Sequence, residues 1–287
     1  MQKSEEKTGV KLRILEGGYC THKEKMVIRG GRNETVKFPS MFGLIIHPKH
    51  GVILYDTGYT KRFYKETATF PFSVYAKMTP VYVEEKDTAV AKLQSIGIKP
   101  EDVKYIIISH FHADHIAALK DFPNCKYIYF KDGYDYVKNL KGFSALKQGY
   151  LSGLLPDDFE SRSIAIDTTK NDYMVETVKP FEKTFDYFGD NSILFIPLDG
   201  HYKGHLGALI QGHDNEKYFL IADSCWLSKS FRENIMPSRI ANIIMDDSKE
   251  YKETLGKIHT FYKNNQNINI LPSHCSEVYE KYVKKFE

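Results

Sequence analysis

The residues best equipped for chemistry lie together in the stretch His110-Phe111-His112-Ala113-Asp114-His115. His110 and His112 are two positions apart, so in an extended chain their imidazoles leave on the same side and can bind one ion. Asp114 and His115 follow at once, and His115 cannot easily reach that ion together with its neighbours. We therefore expect a second ion, roughly 3.5 to 4 Å away as in two-metal hydrolases. Imidazole with carboxylate suits zinc most, and tolerates iron or manganese.

The residues on either side of this stretch predict the elements that position it. The apolar run 105–108 reads as a buried strand, and 116–119 has helix-forming character. The cluster then falls in a loop between a strand end and a helix start, where α/β proteins place their sites. The alternative interpretation is a polar loop that happens to be rich in histidine.

Length and composition restrict the class of protein. The chain has 287 residues and a net charge of +3, and its lysines form no basic block, so nothing electrostatic points to nucleic acid. The charged segment 1–7 is unlike a secretory signal, and no apolar run approaches the ~18 residues of a membrane span. The cysteines are far apart, which favours reduced thiols and a cytoplasmic protein; they are Cys20, Cys125, Cys225 and Cys275.

The remaining pattern predicts strands in both halves of the chain. Residues 10–15 alternate like an edge strand, and 41–47 with 52–55 form a hairpin signal around Pro48-Lys49-His50-Gly51. Further strands are expected at 125–130, 193–197, 208–211, 218–222 and 268–271, with helices at 87–96 and 250–262. Two strand-rich halves with outer helices indicate a four-layer αββα sandwich.

Two stretches look like insertions into this pattern. Residues 59–83 are dense in Phe and Tyr, and Pro71 and Pro80 exclude a long helix. A lid over the metals, a homodimer contact and ordinary core packing all remain open for this segment; as a lid, it would offer Phe70 and Phe72 to an apolar part of a substrate. Residues 132–155 are amphipathic and predict one helix within a helical insertion near 132–160.

The motif His-x-His-x-Asp-His resembles the signature of the metallo-β-lactamase-fold hydrolases. This resemblance implies a single αββα domain over residues 1–287. It also implies three further ligands that each follow an apolar strand: His201 completes the His110 and His112 ion, Asp223 bridges both ions, and His274 completes the Asp114 and His115 ion. Asp56 and His205 are then expected to hold the ligands in position without binding a metal themselves.

Within that superfamily the chain resembles the N-acyl homoserine lactonases in the order of four segments, which are Gly17-Gly18-Tyr19-Cys20, the hairpin to Asp56-Thr57-Gly58, Gly97-Ile98-Lys99-Pro100-Glu101-Asp102 and the segment of Asp223. This resemblance implies hydrolysis of lactone or carboxylic ester bonds by a hydroxide shared between two ions. Asp114 is the candidate to pass a proton to the leaving group. The lactonases carry a tyrosine three residues after the bridging aspartate, and here that position is Trp226. We expect its indole N–H to donate to the substrate carbonyl. A small molecule with an apolar group is the expected partner.

Two other functions remain open from the sequence. A phosphodiesterase or nuclease would use the same metals, but would want a basic track near them. A metal-bearing binding protein without turnover would keep the fold, and loss of a ligand would favour it.

Overall fold

A computed structural model describes residues 9–238 and 245–284. Within these ranges the strands form one seven-stranded and one four-stranded sheet. Their bounds are β1 Lys11–Lys23, β2 Thr35–His47, β3 Gly51–Tyr55, β4 Val81–Tyr82, β5 Val103–Ile107, β6 Lys126–Phe130, β7 Ser163–Ile166, β8 Ile193–Pro197, β9 Leu206–Gln211, β10 Lys217–Ala222 and β11 Ile268–Pro272.

The α-helices of the described residues are mostly short. Their bounds are α1 Glu24–Val27, α2 Arg62–Glu66, α3 Ser73–Met78, α4 Ala89–Ser95, α5 Ala113–Ile116, α6 Lys131–Val137, α7 Gly142–Lys147, α8 Ser228–Glu233, α9 Ser248–Asn264 and α10 Ser276–Tyr282. The long helix α9 begins at Asp247, whose side chain accepts hydrogen bonds from the N–H groups of Lys249 and Glu250. None of the helices in the described ranges combines the length and the apolar character that crossing a membrane requires.

The larger sheet has the strand order β4-β1-β2-β3-β5-β6-β7. The predicted hairpin is confirmed, since β2 and β3 pair antiparallel. Strands β3, β5, β6 and β7 are parallel, so their carboxyl ends share one edge of the sheet. Within the described residues, 11–15 pair with β2 alone, as expected of an edge strand, whereas the short strand β4, which the sequence did not predict, pairs with β1 further along, at Tyr19 and Cys20. Two residues of β4 are too few for a recognisable alternation.

The smaller sheet has the order β11-β10-β9-β8, in which β10 and β11 are parallel and the other pairs antiparallel. The strand order places the loops after β8, β10 and β11 near one another. These loops carry His201, Asp223 and His274.

The sheets pack face to face over an apolar core, with helices outside. Ile53 and Ile107 of the larger sheet share a buried cluster with Phe195, Ile210 and Leu220 of the smaller one. On the outer faces, buried side chains of α4 and α9 join a second cluster with the sheets, and they are Leu93, Leu255, Ile258 and Phe261. The chain therefore has the predicted αββα sandwich.

The prediction of a single helix over 132–155 was wrong. The segment contains α6, α7 and a 3₁₀ turn at Ser152–Leu154. Gly142 and Gly149 have φ of +54° and +57°, which interrupts a right-handed helix at both places. The helical spacing of apolar residues over 132–155 does not reveal these two breaks. Strand β7 was not predicted either, because it has four residues and only one buried side chain.

Candidate metal centre

The histidine cluster lies where the sequence placed it, directly after β5 and at the start of α5. Seven predicted ligands converge there from four loops at the ends of β5, β8, β10 and β11. Apart from the half-buried His112, their side chains are buried; the seven are His110, His112, Asp114, His115, His201, Asp223 and His274. Their donor atoms fall into two groups.

The first group contains His110, His112, His201 and Asp223. Nε2 of His110 lies 2.9 Å from Nδ1 of His112, and Nε2 of His201 lies 3.1 Å from the same Nδ1 atom. Oδ2 of Asp223 lies 3.4 Å from Nε2 of His201. Three imidazole nitrogens and one carboxylate oxygen therefore face a common point.

The second group contains Asp114, His115 and His274. Oδ2 of Asp114 lies 3.4 Å from Nε2 of His115 and 3.2 Å from Nε2 of His274. Oδ1 of Asp223 lies 3.4 Å and 3.1 Å from the same two nitrogens. Asp223 thus turns one oxygen to each group, which is the arrangement that a bridging ligand needs.

The donor atoms fit divalent cations held at two points. Zinc binds nitrogen and oxygen at about 2.0 to 2.1 Å, so neighbouring donors on a tetrahedron lie roughly 3.3 Å apart, close to the separations in both groups. Nε2 of His115 and Oδ1 of Asp223 are buried and have no hydrogen-bond partner among the residues that the structure describes. Buried polar atoms are rarely left unpaired, and cations between the groups would satisfy both of these.

The carboxylates of Asp114 and Asp223 also stabilise positive charge in the second group. Burial alone would lower the pKa of His115 and His274, but nearby Asp114 and Asp223 raise both, that of His274 to about 10. Burial lowers the pKa of His110 and His201, and that of His112 to about 4, so these imidazoles are neutral and keep a lone pair for a metal.

Asp56 orients His115. Its Oδ2 lies 2.7 Å from Nδ1 of His115 and accepts a 2.8 Å hydrogen bond from the hydroxyl of Ser109, while its Oδ1 accepts from the Ser109 N–H at 2.8 Å. The carboxylate favours a proton on Nδ1 of His115, which leaves Nε2 as the free donor atom. Asp56 is predicted from the sequence, whereas the role of Ser109 is not, because no motif distinguishes this serine.

His205 supports the centre from the other side. Its ring stacks on His110 at 4.9 Å, and its Nε2 accepts a 3.3 Å hydrogen bond from the N–H of Asp223. Nδ1 of His274 donates to the carbonyl of Pro39 at 2.7 Å, which fixes Nε2 toward the two carboxylates. The structure therefore separates His201, which faces the donor cluster, from His205, which holds the backbone of Asp223.

Trp226 contacts the predicted ligand Asp223. Its indole N–H donates to Oδ2 of Asp223 at 3.0 Å, and its ring is perpendicular to that of His201 at 5.6 Å. The indole has a single proton to donate. In this structure the carboxylate of Asp223 accepts that proton.

The two predicted substrate contacts lie in different environments. Phe70 is 70% exposed and meets the ring of Phe143 edge to face at 5.3 Å. Phe72 is half-buried and packs against the main core cluster. Within the same segment, Tyr59 and Phe63 are fully buried core residues. Residues 59–83 therefore combine core packing with an exposed aromatic surface.

A third group of possible ligands, His47, His50 and Asp190, lies elsewhere. Nδ1 of His47 accepts hydrogen bonds from the N–H groups of Lys49 and His50, at 3.1 and 3.2 Å. This places the proton on Nε2, which lies 2.8 Å from the Ser192 hydroxyl. Neither nitrogen then has a lone pair for a metal, so His47 is a structural residue of the hairpin.

Comparisons with known proteins agree with the fold. Residues 37–206 match the metallo-beta-lactamase superfamily model. The chain is 26% identical over 244 residues to an N-acyl homoserine lactonase AttM of Azorhizobium caulinodans, covering 83% of this chain and 84% of the relative.

Two solved structures share the fold across 96% of this chain. One is an N-acyl homoserine lactone hydrolase with the product N-hexanoyl-L-homoserine at its catalytic metal centre, with a TM-score of 0.71, 19% identity and 96% of its chain covered. The other is AidC, a dizinc quorum-quenching lactonase, with a TM-score of 0.62, 16% identity and 90% of its chain covered.

An αββα sandwich whose strand ends gather histidines and aspartates into one buried centre defines a metal-dependent hydrolase. With more than half of its length matched by the family model, the chain belongs to the metallo-beta-lactamase superfamily.

Proposed function

We propose that the protein is a dinuclear metal-dependent hydrolase of lactone or carboxylic ester bonds that uses a hydroxide shared between its two ions. The observation that carries this proposal is the position of Asp223. Its Oδ2 faces His201 in one donor group, and its Oδ1 faces His115 and His274 in the other. A carboxylate placed in this way joins two cation sites into one centre.

The first ion would be held by His110, His112 and His201, and the second by Asp114, His115 and His274, with Asp223 shared. Zinc is the metal we propose, because imidazole and carboxylate suit it and AidC is a dizinc enzyme. Two such ions, when bound, lower the pKa of a shared water and polarise the substrate carbonyl.

Asp114 is the residue that we assign to proton transfer. Burial alone would raise the pKa of its carboxyl group, but the charges and hydrogen bonds of His115 and His274 hold that pKa well below the usual range. The carboxylate is therefore ionised, and the role we assign to it rests on its position beside His115 and His274 and not on its basicity. It would receive the proton released by the attacking water and pass it to the departing alkoxide oxygen.

The residues after Asp223 support attack on a carbonyl over attack on a phosphodiester. Phosphoryl transfer spreads charge over several oxygens and is served best by Lys or Arg at the centre. Arg232 instead forms a two-pronged ion pair with Glu277, at 2.7 Å for both contacts. Among the described residues 224–238 the one arginine is therefore engaged and does not offer its guanidinium to a phosphate group.

The relatives narrow the substrate class further. We propose lactones with an apolar acyl group, of the N-acyl homoserine lactone kind, as the substrates. The reason is that the chain is similar over 83% of its length to a relative that is an N-acyl homoserine lactonase. The exposed aromatic surface of residues 59–83, in which Phe70 is the most exposed large apolar side chain, would contact the acyl group.

A hydrolysis screen tests this proposal. Zinc-loaded protein should open N-acyl homoserine lactones and cleave aryl esters faster than bis-aryl phosphodiesters, and Asp114→Asn should lower turnover by about 10² to 10⁴-fold. Faster cleavage of the phosphodiesters would favour the nuclease-type alternative. No turnover of any class by fully loaded protein would favour a binding protein.

A further inference from the structure

Trp226 makes a contact that no ligand motif requires. Its indole N–H lies 3.0 Å from Oδ2 of Asp223, and both side chains are buried. The aspartate is the one residue shared by both donor groups. The contact is made to Oδ2, the oxygen of Asp223 that faces His201 in the first donor group.

The chemistry of the indole makes this contact one-directional. An indole N–H donates and never accepts, and it does not ionise in the physiological range. A tyrosine hydroxyl at the same position could turn its proton to a substrate or to the carboxylate. Tryptophan has one proton, and in this structure Asp223 receives it.

We propose that Trp226 is a positioning residue that locks Asp223 in its bridging orientation and thereby sets the affinity for the ion held by His110, His112 and His201. This inference rests on the proposed dinuclear centre. The N–H occupies one lone pair of Oδ2 and leaves the other directed at His201 Nε2, 3.4 Å away. The edge-to-face packing of Trp226 on His201, at 5.6 Å, fixes a second ligand of the same ion.

A consequence follows for the substrate. Because its proton is committed to Asp223, Trp226 is not a donor to the substrate carbonyl. Replacing the N–H should then change metal affinity and turnover while leaving the Michaelis constant nearly unchanged.

The affinity for each zinc equivalent is the decisive measurement. Zinc is added to the metal-free protein in the presence of a chromogenic chelator, which competes for it. Trp226→Phe keeps an aromatic ring and removes the N–H. Changes to groups that orient metal ligands cost 10 to 100-fold in metal affinity, so one of the two zinc equivalents should bind about 10 to 100-fold more weakly in this variant. The other equivalent should bind as in the wild type.

Tyr202→Phe is the matched control. Tyr202 is fully buried and its ring packs near His110 and His112, at 5.3 and 5.1 Å. Within the described part of the chain its hydroxyl has no hydrogen-bond partner. Removing that hydroxyl should leave both zinc affinities unchanged. Wild-type affinity for both equivalents in Trp226→Phe would overturn the inference, and so would an equal loss in both variants.

A second measurement uses the wild-type protein alone. Trp226 is the only tryptophan of the chain, so its fluorescence reports on this contact. Its emission should change with the zinc equivalent bound by His110, His112 and His201, and this change should persist in His274→Ala. An emission that zinc leaves unchanged would contradict the inference. Zinc binding as expected with no hydrolysis of lactones would refute the proposed substrate and leave the role of Trp226 intact.

Discussion

Gly149 packs its backbone directly against the imidazole of His112. A Cβ atom at residue 149 would lie 2.8 Å from Cδ2 of that ring, and Gly149 has a φ of +57°. The segment after α7 therefore forms a wall behind one ligand of the metal centre. No motif in the sequence marks this glycine as part of the site.

Gly149→Ala should damage the centre more than the fold. A left-handed conformation costs a non-glycine residue roughly 1 to 2 kcal/mol, and here the methyl group also displaces His112. We expect weaker binding of one zinc equivalent and a turnover at least tenfold lower, measured by chelator competition and lactone hydrolysis.

Gly142→Ala is the matched control for this prediction. Gly142 has a φ of +54° but nothing within 4 Å of a Cβ atom, so alanine there carries the same backbone strain without the contact. The two variants should lose similar thermal stability, whereas Gly142→Ala should keep wild-type metal content. Equal activity in the two variants would show that the contact with His112 is unimportant.

Two metal equivalents per chain are expected in protein purified without chelator, because the donor atoms form two groups around Asp223. His201→Ala and His274→Ala should each reduce the content toward one equivalent, as elemental analysis would measure. His50→Ala should keep two equivalents, because both ring nitrogens of its neighbour His47 are engaged in hydrogen bonds and that group of residues is not expected to bind a metal. A plateau at one equivalent that His274→Ala leaves unchanged would refute the dinuclear proposal.

Asp56→Asn should weaken the ion held by Asp114, His115 and His274. An amide oxygen can still accept a hydrogen bond, but it no longer stabilises the proton on Nδ1 of His115 as a carboxylate does. We expect a 10 to 100-fold loss of affinity for that ion by chelator competition. Asp121→Asn, which removes a carboxylate paired with Arg62 at the surface, should have no such effect. An Asp56→Asn variant that binds both ions normally would contradict this role.

Phe70→Ala should raise the Michaelis constant for lactones with long acyl chains more than it lowers turnover. Loss of roughly 40 to 60 Å² of apolar contact at about 25 cal/mol per Å² corresponds to a Michaelis constant about fivefold to thirteenfold higher. Phe143→Ala should act in the same direction because the two rings are in contact. Thermal stability should change little, since Phe70 is 70% exposed.

Met78→Ala is the control for Phe70→Ala, because Met78 is another exposed apolar residue of the same segment. Its kinetic constants should remain at wild-type values. Unchanged kinetics in Phe70→Ala together with loss of dimers in solution would instead identify residues 59–83 as an interface between copies of the chain.

The sequence by itself determined the fold class and which residues could meet. Alternating or continuous apolar runs predict strands wherever a strand is long enough to show a period, and the hairpin of β2 and β3 was confirmed in this way. The spacing of His110, His112, Asp114 and His115 fixes which side chains leave a single loop together. Those features are local, so neighbouring residues are enough to specify them.

Only the tertiary structure decided how distant parts of the chain act on the centre. The wall at Gly149 and the commitment of the Trp226 proton to Asp223 depend on how separate loops pack at the ends of the two sheets. The outermost strand of the larger sheet beside β1 is β4, and only two of its residues pair with β1. Neither a hydrophobic period nor a motif records such contacts, because they join residues whose spacing along the chain carries no regular pattern.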